Sequence, residues 1–304
     1  MTKTSKSLLS AIDIITLIFC GWILLYMSIG LSLGRAKDAQ MHLPIFLSIA
    51  CGILLLAWLH RDLDAGKHPR LDKAISLIRA LYPITLFGYF FTSGYSVNQI
   101  IFTRWLDPFF MNIDLKLFGY LPSLIWGKTY AGYLSSEVFH LAYFCYYPMI
   151  IGLPVYLYFK KPKAFKELIF NLCFVFYLCY FIFSILPVIG GRFLQEAMEL
   201  TQTYRGGPFT HIMVFIYRNT HHLGGAFPSS HVAVALVLTV AALRHAPRLG
   251  YLFVVIAFFL TFSTVYCHYH WFIDAMFGIL AGVGGYYLAN YSHRKLQGVL
   301  LDEI

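Results

Sequence analysis

Residues 12–33 read IDIITLIFCGWILLYMSIGLSL, an apolar run with one charged side chain, Asp13. A transmembrane helix needs about 20 consecutive apolar residues to cross the hydrocarbon core of a bilayer. The run is too long for the apolar core of a signal peptide, and it lacks a small-residue cleavage site, so we expect a retained first span. We expect Asp13, at the inner end of this span, to be solvated.

The composition of the whole chain is also that of a membrane protein. Of its 304 residues, 59% are hydrophobic and only 12% are charged, and the mean hydropathy is +0.67. Because a soluble domain is about a quarter charged, a water-facing globule of this length would lack the polar residues to cover its surface. The composition therefore predicts an all-α, polytopic membrane helical bundle, and the net charge of +9 does not imply a nucleic-acid partner.

Eight apolar segments are candidates for transmembrane helices, and the sixth is the shortest. They are residues 12–33, 43–59, 74–100, 132–159, 165–186, 229–243, 249–266 and 271–291. The aromatic segment 102–128, between the third and fourth spans, favours helices that lie in the membrane interface. The longest polar stretch, 188–227, separates the fifth span from the sixth. We expect one integral membrane domain over 1–304, with three N-terminal spans in 1–100 and a catalytic core in 101–291.

The distribution of positive charge predicts the orientation. Eight crossings place both termini on one side, and 8 of the 23 Lys and Arg residues then fall on the opposite side. Those eight are Arg35, Lys37, Arg104, Lys116, Lys128, Arg192, Arg205 and Arg218. Because positive charge accumulates in cytoplasmic loops, the termini are expected in the cytoplasm and residues 188–227 on the periplasmic or lumenal face.

No metal or cofactor is expected. The six cysteines lie in or beside apolar runs without metal-ligand spacing, so they are interpreted as small core residues. No cluster of carboxylates suitable for Mg²⁺ is visible. We also expect no protein partner, only membrane lipids.

Histidines collect on the predicted outer face, where three distant segments meet. They are His211, His221, His222, His231, His268 and His270. In the first segment, Arg192 follows Gly190 and Gly191 just beyond the fifth span, where a guanidinium fork can contact phosphate oxygens in a bidentate manner. The alternative is an arginine that reaches towards lipid headgroups.

The second segment, Gly225 to His231, contains Pro228-Ser229-Ser230-His231 at the start of the sixth span. Proline in the first turn and a serine cap mark a helix N-terminus, whose free N–H groups favour an anion. His231 is then placed to donate a proton to a leaving oxygen. An ordinary capped helix with an interfacial histidine is an equally good interpretation of these residues alone.

The third segment runs from Ser263 to Asp274. His270 and Asp274 are four residues apart and share a helix face, so the carboxylate can hydrogen-bond one ring nitrogen while the other acts as a nucleophile. An ionisable side chain just inside an apolar span favours a functional role. The spacing is weak evidence by itself, and it gains weight from the two other segments on the same face.

Together these motifs resemble the type 2 phosphatidic acid phosphatase superfamily, and within it the branch of inositol phosphorylceramide synthases. The resemblance covers roughly 107–282. It implies that His270 attacks phosphorus to form a phosphohistidine, that Asp274 orients His270, and that His231 protonates the leaving alcohol. The residues that it implies for substrate binding are Arg192, Gly225, Ser229, Ser230 and Ser263.

Two positions depart from the hydrolytic branch of that superfamily. Ile185 and Thr264 stand where its signature has Lys and Arg. A phosphomonoester carries nearly two negative charges and a phosphodiester one, so fewer cations favour a diester substrate. His221, His222 and His268 would partly replace the missing charge if they were protonated.

Three functions remain open from the sequence. We expect a phosphotransferase that moves a phosphoryl head group, such as phosphoinositol, from a phospholipid to an acceptor lipid such as ceramide. The first alternative is hydrolysis of a phosphatidic-acid-like or polyprenyl phosphate. The second is a transporter or an inactive scaffold, although neither mid-bilayer ionisable residues nor a repeat between two halves is visible. The roles of Glu137 and His140 stay open between contact with an acceptor head group and an interfacial ion pair.

Overall fold

The computed structural model describes residues 8–63, 68–203, 206–219 and 222–302, and this part of the chain contains helices and no strand. The α-helices are α1 (Ala11–Ser32), α2 (Ala39–Asp62), α3 (Pro69–Ser93), α4 (Asp107–Phe118), α5 (Pro122–Thr129), α6 (Tyr133–Phe144), α7 (Tyr146–Lys160), α8 (Pro162–Ile185), α9 (Gln195–Thr203), α10 (Pro208–Arg218), α11 (Ser230–His245), α12 (Pro247–Tyr266) and α13 (Phe272–Asp302). The predicted all-α class is confirmed.

Seven helical segments within the described residues are long and apolar enough to cross a membrane. They are α1, α2, α3, α8, α12, most of α13, and the combined α6 and α7, which meet at Cys145. The remaining expected span, the sixth in chain order, is α11. Its 16 residues extend about 24 Å, somewhat less than the thickness of the hydrocarbon core. The prediction of a multi-pass bundle of about eight spans is confirmed.

The interfacial segment forms two short helices, α4 and α5. Each begins with a proline in its first turn, Pro108 and Pro122, where the missing N–H costs no hydrogen bond. With 12 and 8 residues, neither is long enough to cross a bilayer. Helix α3 ends at Ser93, and a 3-10 turn over Gly94–Ser96 completes the third span a few residues before the expected residue 100.

Helix α11 lies at the centre of the bundle and packs against α7, α8, α12 and α13. Its buried face consists mainly of alanine and valine, which allow close approach. On α13, an added Cβ at Gly278 would lie 2.7 Å from the Ser229 carbonyl oxygen, and one at Gly282 would lie 2.6 Å from that of Ala233. These two glycines therefore bring the start of α13 against the start of α11, where the candidate catalytic residues lie.

Polar contacts stabilise the end of the bundle opposite the candidate catalytic residues. There the Arg79 guanidinium donates to the Asp13 carboxylate and to the Leu8 carbonyl, and Arg244 lies 3.9 Å from Glu167. The expectation that Asp13 is solvated is therefore wrong: its side chain is buried, and burial of a carboxylate is tolerated because a cation on α3 pairs with it. Lys3, Lys6, Lys67 and Arg205, which entered the charge count, lie outside the described residues.

Candidate active site

The three sequence-distant segments meet at the other end of the bundle. The Ala226 N–H donates to the Val188 carbonyl at 3.0 Å, and the Ser229 N–H donates to the Asp274 carbonyl at 2.9 Å. Gly190 has a φ of +82°, and a Cβ there would lie 2.4 Å from the Tyr269 carbonyl oxygen. A glycine is needed at this position for both reasons, the backbone angle and the close approach.

His270 lies in the loop between α12 and α13, and its orientation is set by a backbone carbonyl. Its Nδ1 donates to the Ala226 oxygen at 2.8 Å, which leaves the Nε2 lone pair available as a nucleophile. The side chain is nearly buried. Burial, reinforced by the neighbouring His231, lowers the pKa of His270 to about 3, so its ring is neutral at physiological pH.

Asp274 does not form the expected hydrogen bond with His270. Its Oδ2 lies 3.7 Å from Nδ1 of His270 and instead accepts from the Trp271 N–H at 2.9 Å. The expected hydrogen bond is absent because His270 already donates its Nδ1 proton to the Ala226 carbonyl. Asp274 is fully buried at the start of α13, so it lies beside the imidazole without a hydrogen bond to it.

His231 lies in the first turn of α11, opposite His270. The centroids of the two imidazole rings are 6.4 Å apart. The rings of Tyr143 and Tyr146 lie 5.0 Å and 4.8 Å from the His231 ring and restrict its position. Both histidines line the same cavity.

Arg192 occupies a 3-10 turn, Gly191–Phe193, and supplies the positive charge beside the histidines. Its Nη2 donates to the His222 carbonyl at 2.8 Å, and its guanidinium lies over the rings of Phe193 and Tyr217 at 4.5 Å and 5.1 Å. Carbonyl and rings hold the side chain in one place, which reduces the entropy lost when it binds an anion.

A cavity of about 440 Å³ brings these groups together. Five of the eight residues expected at the site do line it: Arg192, Gly225, Ser230, His231 and His270. The other three, Ser229, Ser263 and Asp274, are buried behind it. The Ser229 hydroxyl caps α11 by accepting from the Val232 N–H at 3.5 Å, and the Ser263 hydroxyl donates to the Leu260 carbonyl at 2.8 Å.

The sequence profile of the PAP2 superfamily matches residues 114–288, which include every residue of this candidate site. The chain belongs to the PAP2 superfamily. This PAP2 protein is 24% identical over 200 residues to the PA-phosphatase related-family protein of Dictyostelium discoideum, an alignment over 57% of this chain and 36% of that protein. The match thus spans little more than a third of the relative's length. No solved structure matches.

Two buried carboxylates that the sequence analysis did not select support the PAP2 site. Asp107 accepts from the N–H groups of Ile189 and Gly190 at 3.0 Å and 2.9 Å, and from the Trp271 indole at 2.8 Å. It therefore ties the arginine loop to the histidine loop. Burial raises the pKa of Asp107, and the three hydrogen bonds oppose that rise.

Asp114 has a corresponding role at α13. Its carboxylate accepts from the N–H groups of Phe272 and Ile273 at 2.8 Å and 3.1 Å, so α4 caps the helix that follows His270. Burial raises the pKa of Asp114 as well. Both acids interrupt an otherwise apolar, aromatic segment, and that placement is the sequence signal by which they could have been selected.

The remaining polar residues around the PAP2 site have structural contacts. Glu137 accepts from the N–H groups of Phe209 and Thr210 at 3.2 Å and 2.8 Å and thus caps α10. His140 donates from Nδ1 to the Ser136 carbonyl at 2.7 Å. Within the described residues no group of three or more His, Cys, Asp or Glu side chains is arranged to hold a metal ion.

The neighbouring histidines do not supply the missing positive charge. Burial lowers the pKa of His222 to about 4 and that of His268, whose Nδ1 contacts the Ser123 carbonyl, also to about 4. Both rings are therefore neutral near pH 7. His221 lies outside the described residues.

Stability is expected to fall as the pH is lowered from about 7 to about 4. An unfolded histidine has a pKa near 6.5, whereas burial lowers those of His222, His268 and His270 to between about 3 and about 4. Below pH 6.5 the unfolded chain therefore binds protons that the folded chain does not, and the stability present above that pH is lost progressively. Thermal unfolding in detergent across this range measures the effect.

The variant His268→Gln keeps a side-chain donor for the Ser123 carbonyl and removes one titrating group. We expect its unfolding midpoint to depend less steeply on pH than that of the unmodified protein. The exposed His211, changed to glutamine, is the matched control and should leave the slope unchanged. Equal slopes for the two variants would contradict the assignment of a buried neutral His268.

Proposed function

We propose that this chain is a membrane enzyme that transfers a phosphoryl head group from a phospholipid to an acceptor lipid through a phosphohistidine at His270. The observation that carries the proposal is the 2.8 Å hydrogen bond from Nδ1 of His270 to the Ala226 carbonyl. It leaves Nε2 unprotonated in a cavity shared with Arg192 and His231. Membership of the PAP2 superfamily supports a lipid phosphatase or phosphotransferase.

In the first half of the reaction, Nε2 of His270 attacks phosphorus and the bond from phosphorus to the diacylglycerol oxygen breaks. His231, protonated at the start of the reaction, donates that proton to the oxygen and becomes neutral, and Arg192 offsets the negative charge on the phosphoryl oxygens. In the second half, His231 takes the proton of the acceptor hydroxyl. The acceptor oxygen then attacks phosphorus, the bond to Nε2 breaks, and His270 returns to its neutral state.

Two observations favour transfer of a diester over hydrolysis of a monoester. The site around Arg192 lacks the two other cations of the hydrolytic signature, because Ile185 and Thr264 stand at their positions. His222 and His268 do not replace that charge, since both are neutral near pH 7. A second cavity of about 260 Å³ shares Arg192 with the first and is also lined by Thr201, Gln202 and Arg218. A polar head group attached to the phosphate fits this second cavity.

The donor and acceptor follow the branch that the motifs resemble, the inositol phosphorylceramide synthases. We infer phosphoinositol as the head group and ceramide as the acceptor. The alternative is hydrolysis of a phosphatidic-acid-like or polyprenyl phosphate, which the name of the Dictyostelium relative favours. The two reactions differ only in whether a lipid hydroxyl or water attacks the phosphohistidine.

The orientation of the enzyme is part of the proposal. We infer cytoplasmic termini from the excess of Lys and Arg on one side of the eight expected crossings, because positive charge accumulates in cytoplasmic loops. The cavity at the opposite end then opens towards the periplasm or lumen, and donor and acceptor lipids reach it from that leaflet.

Purified protein in mixed micelles tests the reaction. With radiolabelled phosphatidylinositol and ceramide, we expect the label to appear in a new sphingolipid and diacylglycerol to accumulate in equal amount. Phosphatidic acid offered alone should release little free phosphate. Free phosphate as the only phosphorus-containing product, from either substrate, would exclude transfer and support the hydrolytic alternative.

A further inference from the structure

The cavity that contains His270 extends away from it along three helices, and its walls there are apolar. One face of α3 contributes Ile84, Phe87, Gly88 and Phe91. This spacing of three, four and seven residues is that of a single helical face. The facing wall comes from α7 and α8, with Ile150, Ile151 and Phe176 among its residues.

Helices α3 and α7 have different neighbours. Helix α3 packs against α1, α2 and α8, whereas α7 packs against α6, α8 and α11. Among the described helices, α3 and α7 share no extended packing, so the cavity lies in the space between them. Helix α3 also lies outside residues 114–288, the part of the chain that matches the superfamily.

We infer that this space binds the hydrocarbon chain of the substrate lipid, which enters sideways between α3 and α7, and that α3 determines which chains are accepted. The inference rests on the proposed function, because the chain must continue from a phosphate held at His270. The catalytic groups and one wall of the space come from the matched core, and the opposite wall comes from α3, outside it. Selection of the lipid chain is thus separated from the chemistry.

Gly88 is a position on α3 that lines the cavity and has open space where a side chain would lie. A Cβ added there meets no atom within 4 Å, although the preceding residue, Phe87, is buried. Glycine is unfavourable in a helix interior compared with alanine, so its presence needs a reason in packing or binding. A lipid chain lying against the α3 backbone at Gly88 provides that reason.

The variant Gly88→Phe places an aromatic ring in the proposed path of the chain. We expect the ratio of turnover of dipalmitoyl to dioctanoyl phosphatidylinositol, measured as diacylglycerol release, to fall about tenfold. Diacylglycerol is released in both transfer and hydrolysis, so the ratio does not depend on the acceptor. Gly52→Phe is the matched control, since Gly52 on α2 also has open space around its Cβ and does not line the cavity. It should keep the ratio of the unmodified protein.

A phosphatidylinositol with a diazirine in its acyl chain gives a readout that needs no turnover. Crosslinks in the unmodified protein should map to α3 and α7 by mass spectrometry and decrease several-fold in Gly88→Phe. Crosslinks that are spread evenly over the lipid-facing helices, or an unchanged turnover ratio in Gly88→Phe, would overturn the inference. If the unmodified protein releases no diacylglycerol, the proposed function fails, and the crosslinks still decide whether the cavity binds the chain.

Discussion

Replacing His270 with glutamine is expected to lower lipid turnover by on the order of 10⁴-fold or more, because the nucleophile that divides the transfer into two steps is lost. Glutamine can still donate to the Ala226 carbonyl, which in the native protein accepts from Nδ1 of His270 at 2.8 Å. The loop should therefore keep its position, and the unfolding temperature should change little. Diacylglycerol release from phosphatidylinositol measures the rate.

The covalent intermediate gives a second measurement of the same variant. Protein mixed with ³²P-phosphatidylinositol and quenched in alkali should retain the label on the unmodified chain and lose it in His270→Gln. The matched control is His211→Gln, since His211 is exposed on α10 and lines neither cavity. Label retained by the His270 variant would show that another residue attacks phosphorus.

The second large effect is expected from Asp107→Ala. This change leaves three buried donors without a partner: the N–H groups of Ile189 and Gly190 and the Trp271 indole. Each unsatisfied buried donor costs about 1–3 kcal/mol, so the total is on the order of 3 kcal/mol or more. A loss of this size is a large part of the stability of a typical domain. We expect a much lower unfolding temperature in detergent and little active protein.

Two further variants separate the role of Asp107 from a general loss of charge. Asp107→Asn keeps one oxygen to accept from Gly190 and Trp271 and should fall between the native protein and Asp107→Ala. Asp38→Asn, at an exposed position before α2 with a φ of +49°, removes a charge and keeps a side chain that tolerates this backbone angle, so it should be neutral within about 0.5 kcal/mol. If Asp107→Ala were as stable as Asp38→Asn, the two loops would be held together by something other than this carboxylate.

The expectations that depended on local sequence agree well with the structure. Apolar length predicts a helix wherever about 20 such residues occur in succession, and the eight segments are present, with α11 the shortest. The serine cap after Pro228 predicts a helix N-terminus, and α11 begins at Ser230 with Ser229 as its cap. The third span was expected to extend to residue 100 and ends at Ser96, because apolar residues continue beyond the turn at Gly94–Ser96.

The expectations about partners in space agree less well. The four-residue spacing of His270 and Asp274 correctly indicates that they are neighbours, at 3.7 Å, but the hydrogen bond goes to Ala226. A backbone carbonyl has no signature in the sequence, so spacing alone favours the carboxylate. Asp13 was expected to be solvated because nothing near it in the sequence reveals Arg79 as its partner.

By itself, the sequence determined that this is a helical membrane protein and that Arg192, His231 and His270 belong to segments of the PAP2 superfamily. Hydrophobic length, helix caps and short motifs are properties of neighbouring residues, so they can be evaluated without the fold. Only the tertiary structure decided that Ala226 orients His270, that Asp107 ties two loops, and that α3 closes the cavity beside His270. These features depend on hydrogen bonds and empty space between distant segments, which exist only once the helices have packed.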